Sequence, residues 1–296
     1  MTEPWACSCA LHGRRLFGRT LLGASLLAGG GAAEASIAEC KRSKFTKAVS
    51  ADDVEGGARQ QYRQLLQQAS GKRALLSGDE QQVQRLRYIA QRMVPFTPEC
   101  NDRARRWQWE VNVLASRDIN AFCMPGGKIA FFYGILSELQ LDDDEVAMIM
   151  GHEIAHALLE HAREQFGKNV VTTGALRLGA ALFGLGQLGD LGAQFGAQLL
   201  SLKYSRDDET EADRLGLLIA ARAGYDPRKG ISLWQKMMGV GGSKPPPMLS
   251  THPASAERIR DIEGKLADVT PLYQAAAKPE RRFNPPAKLP AEGRGR

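Results

Sequence analysis

The feature that most restricts how this chain can fold is the sequence Gly-His-Glu-Ile-Ala-His at 151–156. On an α-helix, His152 and His156 lie about 40° apart around the axis and about 6 Å apart along it, so both imidazoles can reach one metal ion. Glu153 points to the side of this pair, where a carboxylate can take a proton from water instead of binding the metal. The spacing therefore predicts a helix that carries a zinc site and a general base.

The surrounding residues predict that this segment is helical. Asp142 supplies an N-cap, and acidic residues at 143–145 follow in the first turn. An apolar series then recurs at helical spacing: Val146, Ile149, Met150, Ile154, Ala157 and Leu158. Because so short a motif also arises by chance on ordinary amphipathic helices, a third ligand from elsewhere in the chain is needed.

Two nearby residues are badly placed to be that ligand. If the helix continued, His161 would lie about 180° around it from His152, and Glu160 would lie about 12 Å along the axis. We therefore expect His161 to be exposed to solvent or to lie behind the metal ligands.

An acidic segment at 205–216 offers the missing carboxylate. On a helix, Glu209 and Asp213 share one face, whereas Glu211 points nearly opposite. Either Glu209 or Asp213 could bind zinc while the other accepts a hydrogen bond from a ligand histidine. The alternative interpretation is an acidic, solvent-exposed start of a helix.

The two motifs, in this order, resemble the M48 family of zinc metallopeptidases, and within it the soluble periplasmic or outer-membrane-associated branch. The resemblance extends over residues 120–262. It includes further matching segments, which are Asn120-Ala121-Phe122, Pro125-Gly126-Gly127, Glu160-His161-Ala162-Arg163 and Thr251-His252-Pro253.

This resemblance implies a role for each matching residue. The ligands of one Zn²⁺ per chain would be His152, His156 and Glu209. Glu153 would be the catalytic base, and Asp213 would orient a ligand histidine. His252 would be a switchable fourth ligand, as in some relatives, with an exposed loop histidine as the alternative.

The resemblance also implies polypeptide substrates. Asn120, Ala121 and Phe122 would lie on an edge strand that pairs with the backbone of the substrate. A second function class is an envelope chaperone or assembly factor in which zinc only holds the fold, and a third is a hydrolase of non-peptide amides. Glu153 favours an enzyme over the chaperone, because a structural zinc site has no use for a base.

Residue patterns also predict the fold class. Helical spacing over 62–69 and 83–93 is followed by alternation over 107–113. Strands expected at 120–124 and 128–132 flank a Pro-Gly-Gly turn and would complete a small antiparallel sheet. We therefore expect a mostly helical, zincin-like α+β domain in which an edge strand of this sheet lines the cleft.

The N-terminus has the pattern of an export signal. Arg14 and Arg15 precede an apolar run at 21–33, and the small residues at 33–35 fit cleavage before Ser36. The arginine pair resembles a twin-arginine signal, with ordinary secretion as the alternative route. We therefore predict a periplasmic protein, with membrane association as an alternative.

Cleavage there would leave three cysteines in an oxidising compartment. Cys40, Cys100 and Cys123 permit one disulfide, but the sequence does not indicate which pair forms. Cys40 also follows a weakly lipobox-like sequence, although Glu39 argues against lipidation.

The chain is expected to divide into four segments. They are an export signal at 1–35, a helical segment at 36–72, the M48-like domain at 73–268 and a basic, disordered Pro- and Ala-rich tail at 269–296. Within the domain, a Gly-, Ala- and Leu-rich stretch at 170–202 predicts a helical hairpin. The hairpin would be a lid, a surface for membrane or outer-membrane assembly contacts or for unfolded polypeptide, or a buried helical pair.

Charge argues against a nucleic-acid partner. Of the net charge of +6, residues 1–35 carry +1 and residues 278–296 carry +4, which leaves +1 for the body. A nearly neutral body lacks the basic surface that nucleic-acid binding requires.

Overall fold

A computed structural model describes residues 40–172, 199, 202–240 and 245–288 of the chain. Its α-helices are α1 (Ala51–Gly71), α2 (Gln81–Met93), α3 (Tyr133–Glu138), α4 (Asp143–Leu158), α5 (His161–Thr172), α6 (Arg206–Arg222), α7 (Lys229–Gly239), α8 (Pro247–Thr251) and α9 (Ala256–Ala275). The strands are β1 (Glu110–Leu114), β2 (Ala121–Met124) and β3 (Lys128–Phe132). The predicted export signal, most of the predicted hairpin and residues 289–296 lie outside the described residues.

Helix α4 is the centre of the core. It begins with a capping box in which Asp142 accepts from the Glu145 backbone at 2.9 Å and Glu145 accepts from the Asp142 backbone at 3.0 Å. From Glu145 to Leu158 every side chain is buried, so the helix is surrounded by protein on all sides. The histidine motif is therefore held on a helix that is buried along most of its length.

Helix α6 crosses α4 at very close range. It begins with a second capping box, between Ser205 and Asp208. At the crossing, a Cβ added to Gly216 would lie 2.7 Å from the backbone carbon of Gly151 and 2.7 Å from the backbone nitrogen of His152. Two glycines thus let the backbones meet, and the contact brings the acidic face of α6 to the histidines of α4.

The sheet is mixed, which corrects the prediction of a purely antiparallel sheet. The strand order is β1-β3-β2, with β2 antiparallel and β1 parallel to β3. The loop from β1 carries the chain to the far edge, and the turn at 125–127 then returns β3 into the gap beside β1. Because β2 runs opposite to β1, the strand that returns between them runs parallel to β1. The mostly helical α+β fold class is confirmed.

The segment predicted to be a disordered tail is ordered over residues 269–288, so that prediction is wrong there. Helix α9 continues through Pro271 to Ala275. The chain after it packs against the body, where Arg282 pairs with Asp144 at 2.8 Å and the Phe283 backbone donates to Asp143 at 2.8 Å. These contacts join residues far apart in sequence, so composition alone could not reveal them.

The cysteine pairing that the sequence left open is resolved. Cys40 and Cys100 form a disulfide across 60 residues, and Cys123 is a buried free thiol. A Cys40 engaged in this bond has no thiol to lipidate. Burial raises the pKa of the Cys123 thiol well above its usual range, which disfavours the reactive thiolate.

Two further features bear on the predicted segments. Helix α1, from the segment at 36–72, packs on the sheet, and the Tyr62 hydroxyl donates to the Ile129 carbonyl at 2.5 Å. Among the described helices, none combines the length and the apolar character that crossing a bilayer requires.

Candidate metal centre

The two histidines of α4 point their ring nitrogens at each other. The Nε2 atoms of His152 and His156 are 3.1 Å apart, and both side chains are buried. This is the arrangement that the four-residue spacing predicts for two groups on one helical face.

Helix α6 brings both candidate carboxylates to this pair, in different positions. The Glu209 carboxylate lies 3.5 Å from His152 Nε2 and 3.4 Å from His156 Nε2. Asp213 instead contacts the other nitrogen of His152, Nδ1, at 3.0 Å. The geometry thus separates the alternatives that the sequence left open, because only Glu209 faces the space between the two Nε2 atoms.

His252 completes a cluster of four. It follows α8, is buried, and its Nδ1 lies 2.8 Å from Glu209 Oε1 and 3.2 Å from His152 Nε2. Together with His156, one ligand atom from each residue falls within 4.8 Å of all the others. The alternative of an exposed loop histidine is therefore wrong.

The spacing of these atoms fits a tetrahedral zinc ion. Ligand atoms at the usual zinc bond lengths of about 2.0–2.1 Å are about 3.3 Å from one another at the corners of a tetrahedron. Five contacts in the cluster, counted over both oxygens of Glu209, run from 2.8 to 3.5 Å. Two imidazole nitrogens, one carboxylate and a third imidazole are also a donor set that zinc prefers.

The charges around the cluster favour a cation there. Burial would lower the pKa of His152, but the carboxylates of Asp213 and Glu209 outweigh it and raise the pKa to about 9. Burial would likewise raise the pKa of Glu209, but hydrogen bonds with His152, His156 and His252 hold it well below the usual range. Burial lowers the pKa of His156, which keeps its lone pair free.

Glu153 has the environment of a base. Its side chain is buried, and its Oε1 has no hydrogen-bond donor within reach among the described residues. The Nε2 atom of His252 lies 3.7 Å from this oxygen. Burial raises the pKa of this carboxyl group above its ordinary value, which increases its affinity for a proton.

The cluster opens on a cleft beside the sheet. The cleft is lined by residues 120–125, together with Glu153, Tyr204 and His252. The first of these, Asn120, Ala121 and Phe122, are the residues predicted to bind the substrate backbone. Over the described part of the chain, β2 has one strand neighbour, β3, so it lies at the edge of the sheet.

Two residues at the site were missed by the sequence analysis. Arg258 on α9 donates to both oxygens of Asp213 at 2.7 Å, and its Nη1 lies 2.6 Å from Glu209. The signal was a charged residue four positions before Ile262, on an otherwise apolar helical face. Tyr204 stacks on the His156 ring with centroids 4.0 Å apart. The residues around Tyr204 in the sequence give no comparable signal of this contact.

His161 lies behind the ligands, and the alternative of a solvent-exposed histidine is wrong. Helix α4 ends at Leu158, and Glu160 has a φ of +61°, so the chain changes direction before α5. His161 therefore does not lie where a continuous helix would have placed it. Its side chain is buried, and its Nδ1 lies 2.9 Å from the Nδ1 of His156.

The class of protein defined by this fold and site is that of the zinc metallopeptidases. Its marks here are a pair of histidines on one helix, a carboxylate from a second helix and an adjacent sheet edge. The model of peptidase family M48 matches residues 80–266, which is more than half of the chain. The chain therefore belongs to peptidase family M48, and the resemblance seen in the sequence is confirmed.

Curated relatives carry names that agree with this family. Over 152 residues the chain is 41% identical to the mitochondrial metalloendopeptidase OMA1 of Arabidopsis thaliana, covering 51% of this chain and 30% of the relative. It is 32% identical over 173 residues to a putative beta-barrel assembly-enhancing protease of Vibrio cholerae (55% and 36%). It is 29% identical over 161 residues to the metalloprotease LoiP of Escherichia coli (52% and 62%). The chain thus spans less than two thirds of the length of each.

Proposed function

We propose that this chain is a zinc-dependent endopeptidase of the cell envelope that cleaves unfolded or misassembled polypeptides. The observation that carries the proposal is the convergence of His152, His156 and Glu209 on one point, with the unpartnered oxygen of Glu153 beside it on the same cleft. Family membership and the names of the relatives support the same chemistry.

His152, His156 and Glu209 would hold one zinc ion per chain. When bound by three protein ligands, zinc polarises a carbonyl group and lowers the pKa of a coordinated water to about 7. Asp213 accepts a hydrogen bond from His152 Nδ1, which leaves Nε2 of that ring with its lone pair toward the metal.

Glu153 would act as the general base. Its buried carboxylate takes a proton from the attacking water, holds it in the low-dielectric cleft and delivers it to the leaving amine. Strand β2 would hold the substrate extended, because its free edge can pair with a peptide backbone. Pairing through the backbone depends little on the side chains of the substrate, so the site would accept a broad range of unfolded chains.

The envelope location rests on two observations. Residues 1–35 have the pattern of an export signal. The Cys40–Cys100 disulfide is a bond that persists in oxidising compartments such as the periplasm. The Vibrio relative, a putative beta-barrel assembly-enhancing protease by name, supports assembly contacts, and we extend the proposal to outer-membrane and peripheral membrane contacts.

We further propose that His252 latches the resting enzyme. With His252 among the ligands the donor set is closed, as in a structural zinc site, whereas catalysis needs an open position. His252 also lies 3.7 Å from Glu153, so its departure would free both the metal and the base.

Replacing His252 tests this latch. We expect His252→Ala to raise peptide cleavage about tenfold or more, which would mean that the latched state is favoured by about 1.4 kcal/mol or more. Zinc K-edge absorption should show one histidine ligand fewer on the zinc than in the wild type. Ser250→Ala, on the exposed face of α8, is the control. Unchanged cleavage together with unchanged zinc coordination would rule out the latch.

The closed donor set also favours a second function, an envelope chaperone or assembly factor in which zinc only stabilises the fold. The two functions make different predictions for Glu153, because a structural site would not need a buried carboxylate with an unpartnered oxygen. Such an oxygen is costly to keep in a folded protein unless it serves a function.

Metal removal and return test the proposed function. The chain purified from Ser36 should contain about one zinc per molecule and cleave an unfolded protein such as reduced casein. A chelator should abolish cleavage, and added zinc should restore it. Zinc binding without cleavage, in both the wild type and His252→Ala, would contradict the peptidase and support the chaperone.

A further inference from the structure

The two histidines of α4 have different partners on their outer nitrogens. His152 Nδ1 faces the carboxylate of Asp213 at 3.0 Å, and Asp213 is held in turn by Arg258. Among the described residues, no carboxylate takes that position at His156. Its Nδ1 faces the Nδ1 of His161 at 2.9 Å.

That second contact restricts the hydrogens on both rings. Two ring nitrogens at 2.9 Å form a hydrogen bond only if one carries a hydrogen and the other a lone pair. A neutral His156 that offers its Nε2 lone pair to the ligand cluster must carry its hydrogen on Nδ1. His161 must therefore accept at Nδ1 and carry its own hydrogen on Nε2.

Glu211 is placed to accept the hydrogen on His161 Nε2. His161 Nε2 lies 3.3 Å from Oε2 of Glu211, on α6. His161 is buried, whereas the Glu211 side chain is 47% exposed. One carboxylate at the surface thus orients a buried histidine, which orients the ligand nitrogen of His156.

We propose that His161, supported by Glu211, is a positioning residue that holds His156 in the tautomer and ring orientation that bind zinc. His161 would accept the hydrogen bond from His156 Nδ1, as Asp213 accepts the one from His152 Nδ1, but through an imidazole nitrogen and not a carboxylate. This inference rests on the proposed metal site but not on peptide cleavage. It also gives a use to Glu211, which the helix pattern alone directed away from the site.

Variants of His161 separate orientation from packing. Asn keeps an acceptor near the position of Nδ1, whereas Phe fills similar space without one and leaves the His156 N–H buried and unpaired. We expect His161→Phe to raise the zinc dissociation constant about 10–100-fold, as loss of such outer contacts does at other sites. His161→Asn should recover most of that loss.

The measurements are chelator competition for zinc and the visible spectrum of the cobalt-substituted protein, which reports ligand geometry without any activity. Should His161→Phe fail to fold, Glu211→Ala and Glu211→Gln at the surface replace it. Glu211→Ala should weaken zinc binding several-fold, and Glu211→Gln, which keeps an acceptor, should weaken it less.

Equal zinc affinity in the wild type and His161→Phe, or equal losses in the Phe and Asn variants, would overturn the positioning role. If the Glu211 variants are tested instead, the positioning role is overturned when both bind zinc with the same affinity as the wild type. A wild-type chain that binds no zinc would instead refute the proposed function, so the two failures are distinguishable.

Discussion

Replacing Glu153 by Gln is expected to lower peptide cleavage about 10²–10⁴-fold while zinc stays bound, because general-base catalysis contributes rate factors of that size. Glutamine has nearly the same shape but cannot take a proton from water. Zinc binding should persist, since the ligand atoms belong to other residues. The measurement is initial cleavage rate against zinc content for the same protein sample.

The matched control is Glu263→Gln, which removes an exposed carboxylate from α9. It should leave both cleavage and zinc content unchanged. Wild-type cleavage by a zinc-loaded Glu153→Gln protein would refute the assignment of the base. Loss of zinc from that variant would show that Glu153 supports metal binding directly.

Gly216→Ala is expected to destabilise the fold by about 1–3 kcal/mol, the usual cost of overpacking a core. The added Cβ would lie 2.7 Å from backbone atoms of Gly151 and His152, which cannot rotate away. Helices α4 and α6 must therefore separate. Denaturant unfolding should show the loss of stability, and chelator competition should show weaker zinc binding as the acidic residues of α6 move from the histidines.

Gly264→Ala, in the middle of α9, is the matched control. Beyond its own turns of the helix, no heavy atom of the described residues lies within 4 Å of a Cβ added there, so only helix propensity acts. We expect this variant to have a free energy of unfolding that is higher by about 0.5–1 kcal/mol. The two substitutions are chemically identical and should change the free energy of unfolding in opposite directions. A stabilised Gly216→Ala protein would contradict the close helix contact.

Several features of the candidate site were predictable because helical periodicity converts sequence spacing into distance. The pairing of His152 with His156, and the shared face of Glu209 and Asp213, follow from a four-residue interval on a helix. The same rule failed for His161. It assumed that α4 continues, whereas the chain turns at Glu160 and starts a new helix.

Other features depend on partners that no local pattern identifies. The positions of Arg258, the order of the three strands and the packing of residues 276–288 depend on contacts between segments that are far apart in sequence. A helical pattern shows that Arg258 lies on a buried face but not which carboxylates it meets there.

What the sequence by itself determined is therefore the local chemistry: a helix with two histidines and a neighbouring carboxylate, a second acidic helix and the peptidase family. Only the tertiary structure decided how these parts meet. The crossing of α4 and α6 at two glycines points Glu209 at the Nε2 atoms and Asp213 at Nδ1 of His152. The spacing of residues within one helix fixes distances along that helix, but the angle and separation between two helices are set by the side chains packed between them.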